Sequence, residues 1–117
     1  MSELDKALSA LEARRAEEEA DRRRRRAAAC DFLKGFYEAD VGPSRKLKER
    51  GIASSFDGAR LVLERPDEGH FSEGLLIVVG EQGEIDVGGK SLGRPQDGDL
   101  AAKKSELIAE IISHFSL

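Results

Sequence analysis

Three groups of residues in this 117-residue chain are of types that could do chemistry, and the first is Gly88-Gly89-Lys90-Ser91. A phosphate-binding loop ends in Gly-Lys-Ser, where backbone N–H groups cradle the phosphates and the lysine reaches them. That motif requires a first glycine five residues before the glycine that precedes the lysine, and Glu84 stands at that position. Leu92-Gly93-Arg94-Pro95 follows and cannot open the helix whose N-terminus would receive the phosphates. The segment reads as an ordinary flexible loop, and no cofactor is expected.

The second group comprises bases, ligands and nucleophiles. His70 and His114 are the two histidines. His70 lies among Asp67, Glu68 and Glu73, but a metal centre needs three or four converging ligands, and one histidine among scattered carboxylates does not specify one. His114 sits beside Phe115 at the end of an apolar helical stripe, which suits a packing or helix-end role. Cys30 has Arg26 and Lys34 four residues to either side but no histidine nearby in sequence, so a catalytic thiol is not expected. A buried thiol usually behaves as a small hydrophobe. No Gly-x-Ser-x-Gly occurs either. The chain is therefore expected to be noncatalytic, with neither a metal site nor a set of catalytic residues.

The third group is a charge block: Glu17-Glu18-Glu19-Ala20-Asp21 is followed at once by Arg22-Arg23-Arg24-Arg25-Arg26. On a helix, Glu18 to Arg22, Glu19 to Arg23 and Asp21 to Arg25 are acid-then-base pairs at four-residue spacing, each worth about 0.2 to 0.5 kcal/mol. The same arginines could instead hold an acidic partner, nucleic-acid phosphate included. Arg45, Lys46, Lys48 and Arg50 would extend that basic surface if the chain turned back beside the helix. Aromatic residues do not alternate with these bases, so stacking on single-stranded nucleic acid has little support.

The net charge of −4 hides three blocks of alternating sign. Residues 1–21 carry three bases and seven acids, residues 22–50 ten bases and four acids, and residues 51–117 six bases and twelve acids. A whole-protein field attractive to nucleic acid is therefore absent. The lone cysteine excludes an intramolecular disulfide, the first residues lack a secretory signal pattern, and no apolar run approaches the roughly 20 residues of a membrane-spanning helix. A cytoplasmic protein with no membrane contact is expected.

The elements that must position these residues follow from periodicity. Residues 2–40 contain no proline and one glycine, and they are rich in Ala, Glu, Arg and Leu, which favour helix. Ser2 is placed to cap this helix, and Val41-Gly42-Pro43 ends it. Leu4, Leu8 and Leu11 form one apolar stripe and Ala29, Leu33 and Phe36 another. At about 100° per residue the two stripes share one face. Residues 44–50 are compatible with a short helix capped by Ser44 and stopped by Gly51, or with a basic loop.

Beyond Gly51 the period changes to two. Ile52, Ser54 and Phe56 alternate up to Asp57-Gly58, a strong hairpin signal, and Ala59 to Arg65 forms the returning strand. A polar connection, Pro66 to Glu73, leads to the apolar run Gly74 to Gly80, whose lack of alternation predicts a central strand buried on both faces. Glu84 to Gly88 adds a further strand, and Gly89 to Gly98 reads as a loop. Asp97 or Asp99 caps a last helix whose Leu100, Leu107, Ile108, Ile111, Ile112 and Phe115 form a stripe. The fold class is α+β: a long N-terminal helix, an antiparallel meander of three or four strands, and a C-terminal helix packed on the sheet. Residues 1–41 are the charged helix, and residues 42–117 a small domain sharing its core with the helix end.

The order helix, three strands, helix also occurs in double-stranded RNA-binding domains, and Lys103-Lys104 lies near the start of the last helix, where that family contacts phosphate. Order alone does not specify membership. Residues 51–117, with twelve acids against six bases, would repel a duplex unless the acids all lie on the opposite face.

The expected function is that of an interaction or assembly module that self-associates through its first helix. The expected oligomer interface is Leu4, Leu8, Leu11, Ala29, Leu33 and Phe36, in an antiparallel register that sets one stripe against the other. That register faces Glu18 with Arg22 but also Arg15 with Arg25, which costs stability. The alternatives are a nucleic-acid-associated regulator using Arg22 to Arg26, and an acidic inhibitor that occupies a basic protein surface.

Overall fold

A computed structural model describes residues 2–66 and 73–117. The first helix, α1, runs unbroken over Glu3–Phe36 and passes into a wider π-helical turn at Tyr37–Val41. The Ser2 side chain accepts from the Asp5 backbone N–H at 3.0 Å, satisfying one donor that a helix start leaves open. The arginine run does not interrupt α1, because arginine is a good helix former and acids one turn earlier pair with it. Residues 44–50 resolve as a short helix, α2 (Arg45–Glu49), with the Ser44 hydroxyl accepting from the Leu47 N–H at 3.3 Å.

Five strands follow: β1 (Ala53–Phe56), β2 (Arg60–Arg65), β3 (Glu73–Val79), β4 (Ile85–Val87) and β5 (Lys90–Ser91). They pair antiparallel in sequence order, the topology of a meander. The sheet thus has one strand more than the largest number expected. Gly88 and Gly89, with φ of 57° and 89°, form a two-residue turn that pairs Val87 with Lys90. Left-handed backbone at both turn positions is what a tight hairpin requires, and glycine adopts it without a steric cost. The expected loop therefore begins with a short strand.

Leu61, Leu63, Leu75, Ile77, Val79, Ile85 and Val87 point to one face of the sheet and are buried. That face meets Ala29, Leu33 and Phe36 of α1, Val41, and Leu107, Ile111 and Phe115 of α3 (Leu100–Phe115). Burying each large side chain of this kind contributes about 1.5 to 3 kcal/mol. β3 is the central strand, as expected, but it is buried on one face only: Leu76 points the other way and is 43% exposed. The helices occupy a single side of the sheet, so the apolar run serves a two-layer fold.

α3 is capped by Asp99, whose carboxylate accepts from the Ala101 N–H at 3.0 Å. Its expected stripe divides in two. Leu107, Ile111 and Phe115 reach the core, while Leu100, Ile108 and Ile112 face outward. Arg65 lies over the Phe115 ring at 5.6 Å, tying β2 to the end of α3. The Tyr37 and Phe56 rings stack at 5.7 Å, tying the π-helical turn to β1.

Candidate functional site

α1 is the element that reaches farthest from the globule. At about 1.5 Å per residue its 34 residues span roughly 51 Å, within a molecule 70 Å in its longest dimension. Every residue from Ser2 to Glu18 is exposed. On this free half Leu4, Leu8 and Leu11 are 68%, 46% and 38% exposed and lie on one face. They are in phase with Ala29, Leu33 and Phe36, which the protein's own core buries.

The six residues expected at a single oligomer interface are thus divided by the fold. Three keep a free surface and three have none. An antiparallel pairing that sets Leu4, Leu8 and Leu11 against Ala29, Leu33 and Phe36 of a second helix lacks the latter contacts, because Leu33 and its neighbours already pack on the sheet.

The arginine run has a different geometry. Five consecutive helical residues turn through about 400°, so Arg22 to Arg26 encircle the rod instead of forming one patch. Arg22 donates from Nε to Glu19 at 3.0 Å and forms a second bond to the same carboxylate through its terminal nitrogen. Arg23 reaches Glu19 at 3.3 Å, and Arg24 pairs with Asp21. Arg25 turns toward the globule and donates to the Gln82 side chain at 3.3 Å. Of the three expected four-residue pairs, Glu19 to Arg23 forms, while Arg22 and Arg24 choose acids three residues back.

Hydrogen bonding from Arg22 holds the Glu19 carboxyl below its ordinary range, with the charges of Arg22 and Arg23 acting in the same direction and burial opposing them. The Arg22 guanidinium is raised by the same bond. Solvent-exposed pairs such as these contribute little to stability and are weakened by salt.

The remaining candidate residues do not converge. Lys90 pairs with Glu110 of α3 at 3.0 Å, and Ser91 lies in β5, so Gly-Gly-Lys-Ser builds a hairpin braced against a helix. Lys103 donates to the Leu92 carbonyl and pairs with Glu106 at 3.3 Å. Lys104 pairs with Asp40 at 2.7 Å. Both lysines at the start of the last helix are therefore engaged inside the fold. Cys30 is half-buried against the core, and His114 packs edge-on against Phe115 at 4.8 Å. His70, with Asp67 and Glu68, lies outside the described residues. Among the described residues no group of three or more His, Cys, Asp or Glu is placed to hold a metal, and no helix is long and apolar enough to cross a membrane.

Fold and surface together define a two-layer α+β domain carrying a projecting, highly charged helix. No protein-family model, curated protein or solved structure matches the chain. Gln82, Ile108 and Ile112 were not singled out as surface residues by the sequence. For the two isoleucines a signal existed: the α3 stripe spans an arc of about 140°, wider than the roughly 100° a helix on a sheet needs.

Proposed function

We propose that this protein is a noncatalytic assembly module whose free half of α1 binds a second copy of the chain through Leu4, Leu8 and Leu11. The supporting observation is that the first four turns or so of the helix, Glu3 to Glu18, are exposed throughout while keeping three leucines in phase on one face. An isolated helix of this length is marginal in water, and most helical stability comes from packing an apolar face. Contact with a partner would supply that packing.

Size-exclusion chromatography coupled to light scattering tests the reading. Wild-type protein is expected to exceed the monomer mass in a concentration-dependent way up to roughly 100 μM, and Leu8→Glu to return it to monomer. A wild-type monomer over that whole range, unchanged by Leu8→Glu, refutes it.

The competing reading is a regulator that places Arg22 to Arg26 on nucleic acid, supported by the 78% and 71% exposure of the Arg23 and Arg24 side chains. It requires salt-sensitive binding that collapses when these arginines become alanine. Absence of binding to duplex and single-stranded DNA and RNA at low salt disposes of it.

A further inference from the structure

The apolar surface that α3 leaves uncovered has a definite shape. Ile108 and Ile112, 38% and 45% exposed, form one wall of a groove of about 360 Å³. Leu47 of α2, Phe36, Val41 and Leu117 also line it, together with one acid, Asp40, which is paired with Lys104. Lys46 of α2 and Arg50, which caps its C-terminal end, bring two positive charges to the same lining. The segment Ser44 to Arg50 carries Arg45, Lys46, Lys48 and Arg50 against a single acid, Glu49. The contact between Lys46 and Glu49 is long, 3.9 Å, and Lys46 is 84% exposed, so its charge is available to a partner.

We infer that this groove is the receptor for the Leu4, Leu8 and Leu11 stripe of a second copy of the chain. This rests on the reading of α1 as the self-association element and names the surface it meets. Three observations support it. Ile108 and Ile112 are one turn apart on α3, an axial step of about 6 Å, and Leu4 and Leu8 repeat the same step on α1, so the two ridges can interdigitate.

Charge matches as well. Residues 1–15 carry three acids, Glu3, Asp5 and Glu12, and three bases, Lys6, Arg14 and Arg15, so the complementarity lies in one flank of the leucine stripe, where Asp5 and Glu12 stand seven positions apart. An acidic flank laid beside the basic α2 rim brings unlike charges together at the edge of an apolar contact, where they favour one orientation. The third observation is steric. α1 is one continuous helix whose far end, Phe36, lies in the groove itself, so the start of the same helix cannot bend round to fill it. A leucine stripe of this sequence could therefore reach the groove only from a second molecule.

Light scattering on the full chain, with two single variants and their mixture, tests this. Ile112→Glu disables the groove and Leu8→Glu the stripe. Each variant alone is expected to run as a monomer with at least about tenfold weaker association than wild type. Their equimolar mixture is expected to recover a larger species, because one intact stripe then meets one intact groove. Circular dichroism of each variant checks that the fold is retained.

If Ile112→Glu does not fold, the paired substitution Lys46→Glu with Arg50→Glu replaces it, and association is then expected to return on mixing with Asp5→Lys/Glu12→Lys protein. Should Leu8→Glu be monomeric while Ile112→Glu associates like wild type, the groove assignment falls and self-association through α1 stands. Failure of the mixture to recover association also overturns the groove. A monomeric wild type overturns both.

Discussion

Gly83 lies directly against the backbone of Arg25: a β-carbon placed on it would sit 2.6 Å from the Arg25 carbonyl oxygen. Its φ of 80° is also one that a side chain disfavours. The turn between β3 and β4 is therefore pressed onto α1, beside the hydrogen bond from Arg25 to Gln82. This contact fixes where the rod stops being part of the globule.

Gly83→Ala should accordingly destabilise the protein by about 1 to 3 kcal/mol, since it adds backbone strain and a collision with main-chain atoms that cannot rotate away. Urea unfolding followed by circular dichroism measures it. A midpoint equal to wild type would show that the turn does not clamp α1.

The two in-phase stripes of α1 should respond oppositely to truncation. Leu33→Ala removes a fully buried side chain and is expected to cost about 2 to 5 kcal/mol. Leu11→Ala, on the free half, is expected to change monomer stability by less than about 0.5 kcal/mol. Unfolding at concentrations low enough to keep the chain monomeric separates the two. Equal losses would mean that the free half is covered within one molecule.

Glu19 makes the helix pH-sensitive in a defined direction. Its carboxyl is held below the ordinary range by the Arg22 hydrogen bond. A group whose pKa falls on folding stabilises the folded state above its unfolded pKa, and that contribution is lost as pH drops through the folded value. Glu19→Gln should therefore lower thermal stability near neutral pH, with the gap to wild type closing below the ordinary carboxylate range. Added salt should narrow the gap too, because the pair is exposed. A gap that stays constant from neutral to strongly acidic pH would assign the effect to something other than ionisation.

Asp40 and Lys104, paired at 2.7 Å and each partly exposed, join the π-helical turn to α3. A double-mutant cycle with Asp40→Asn and Lys104→Met should give a coupling of up to about 1 kcal/mol, falling with salt. Zero coupling at low salt would remove this pair from the contacts that set the α3 position.

Local chemistry alone determined much of this protein. Absence of proline, strong helix formers and the Ser2 cap specify a single rod through Phe36. Asp57-Gly58 announces the first hairpin, although the register, with Phe56 opposite Leu61 and the Asp57 N–H donating to the Arg60 carbonyl, puts Gly58-Ala59 at the turn. An aspartate, Asp97 or Asp99, announces the start of α3, and the structure gives the cap to Asp99. These features depend on neighbours within a few residues, and so they are legible in order along the chain. Of the six residues expected at an oligomer interface, Leu4, Leu8 and Leu11 are exposed and Ala29, Leu33 and Phe36 are enclosed by the core, a division that periodicity does not contain.

Tertiary structure decided what covers each apolar face. Periodicity says that Leu11 and Leu33 point the same way, but it contains nothing about where the sheet ends. The sheet reaches only the last turns of α1, so identical patterning yields a core at one end and an open stripe at the other. The same holds for α3, where Ile111 and Ile112 are adjacent in sequence and only one meets β3 and its neighbours. Burial is a property of two surfaces brought together, and a single chain segment encodes one of them.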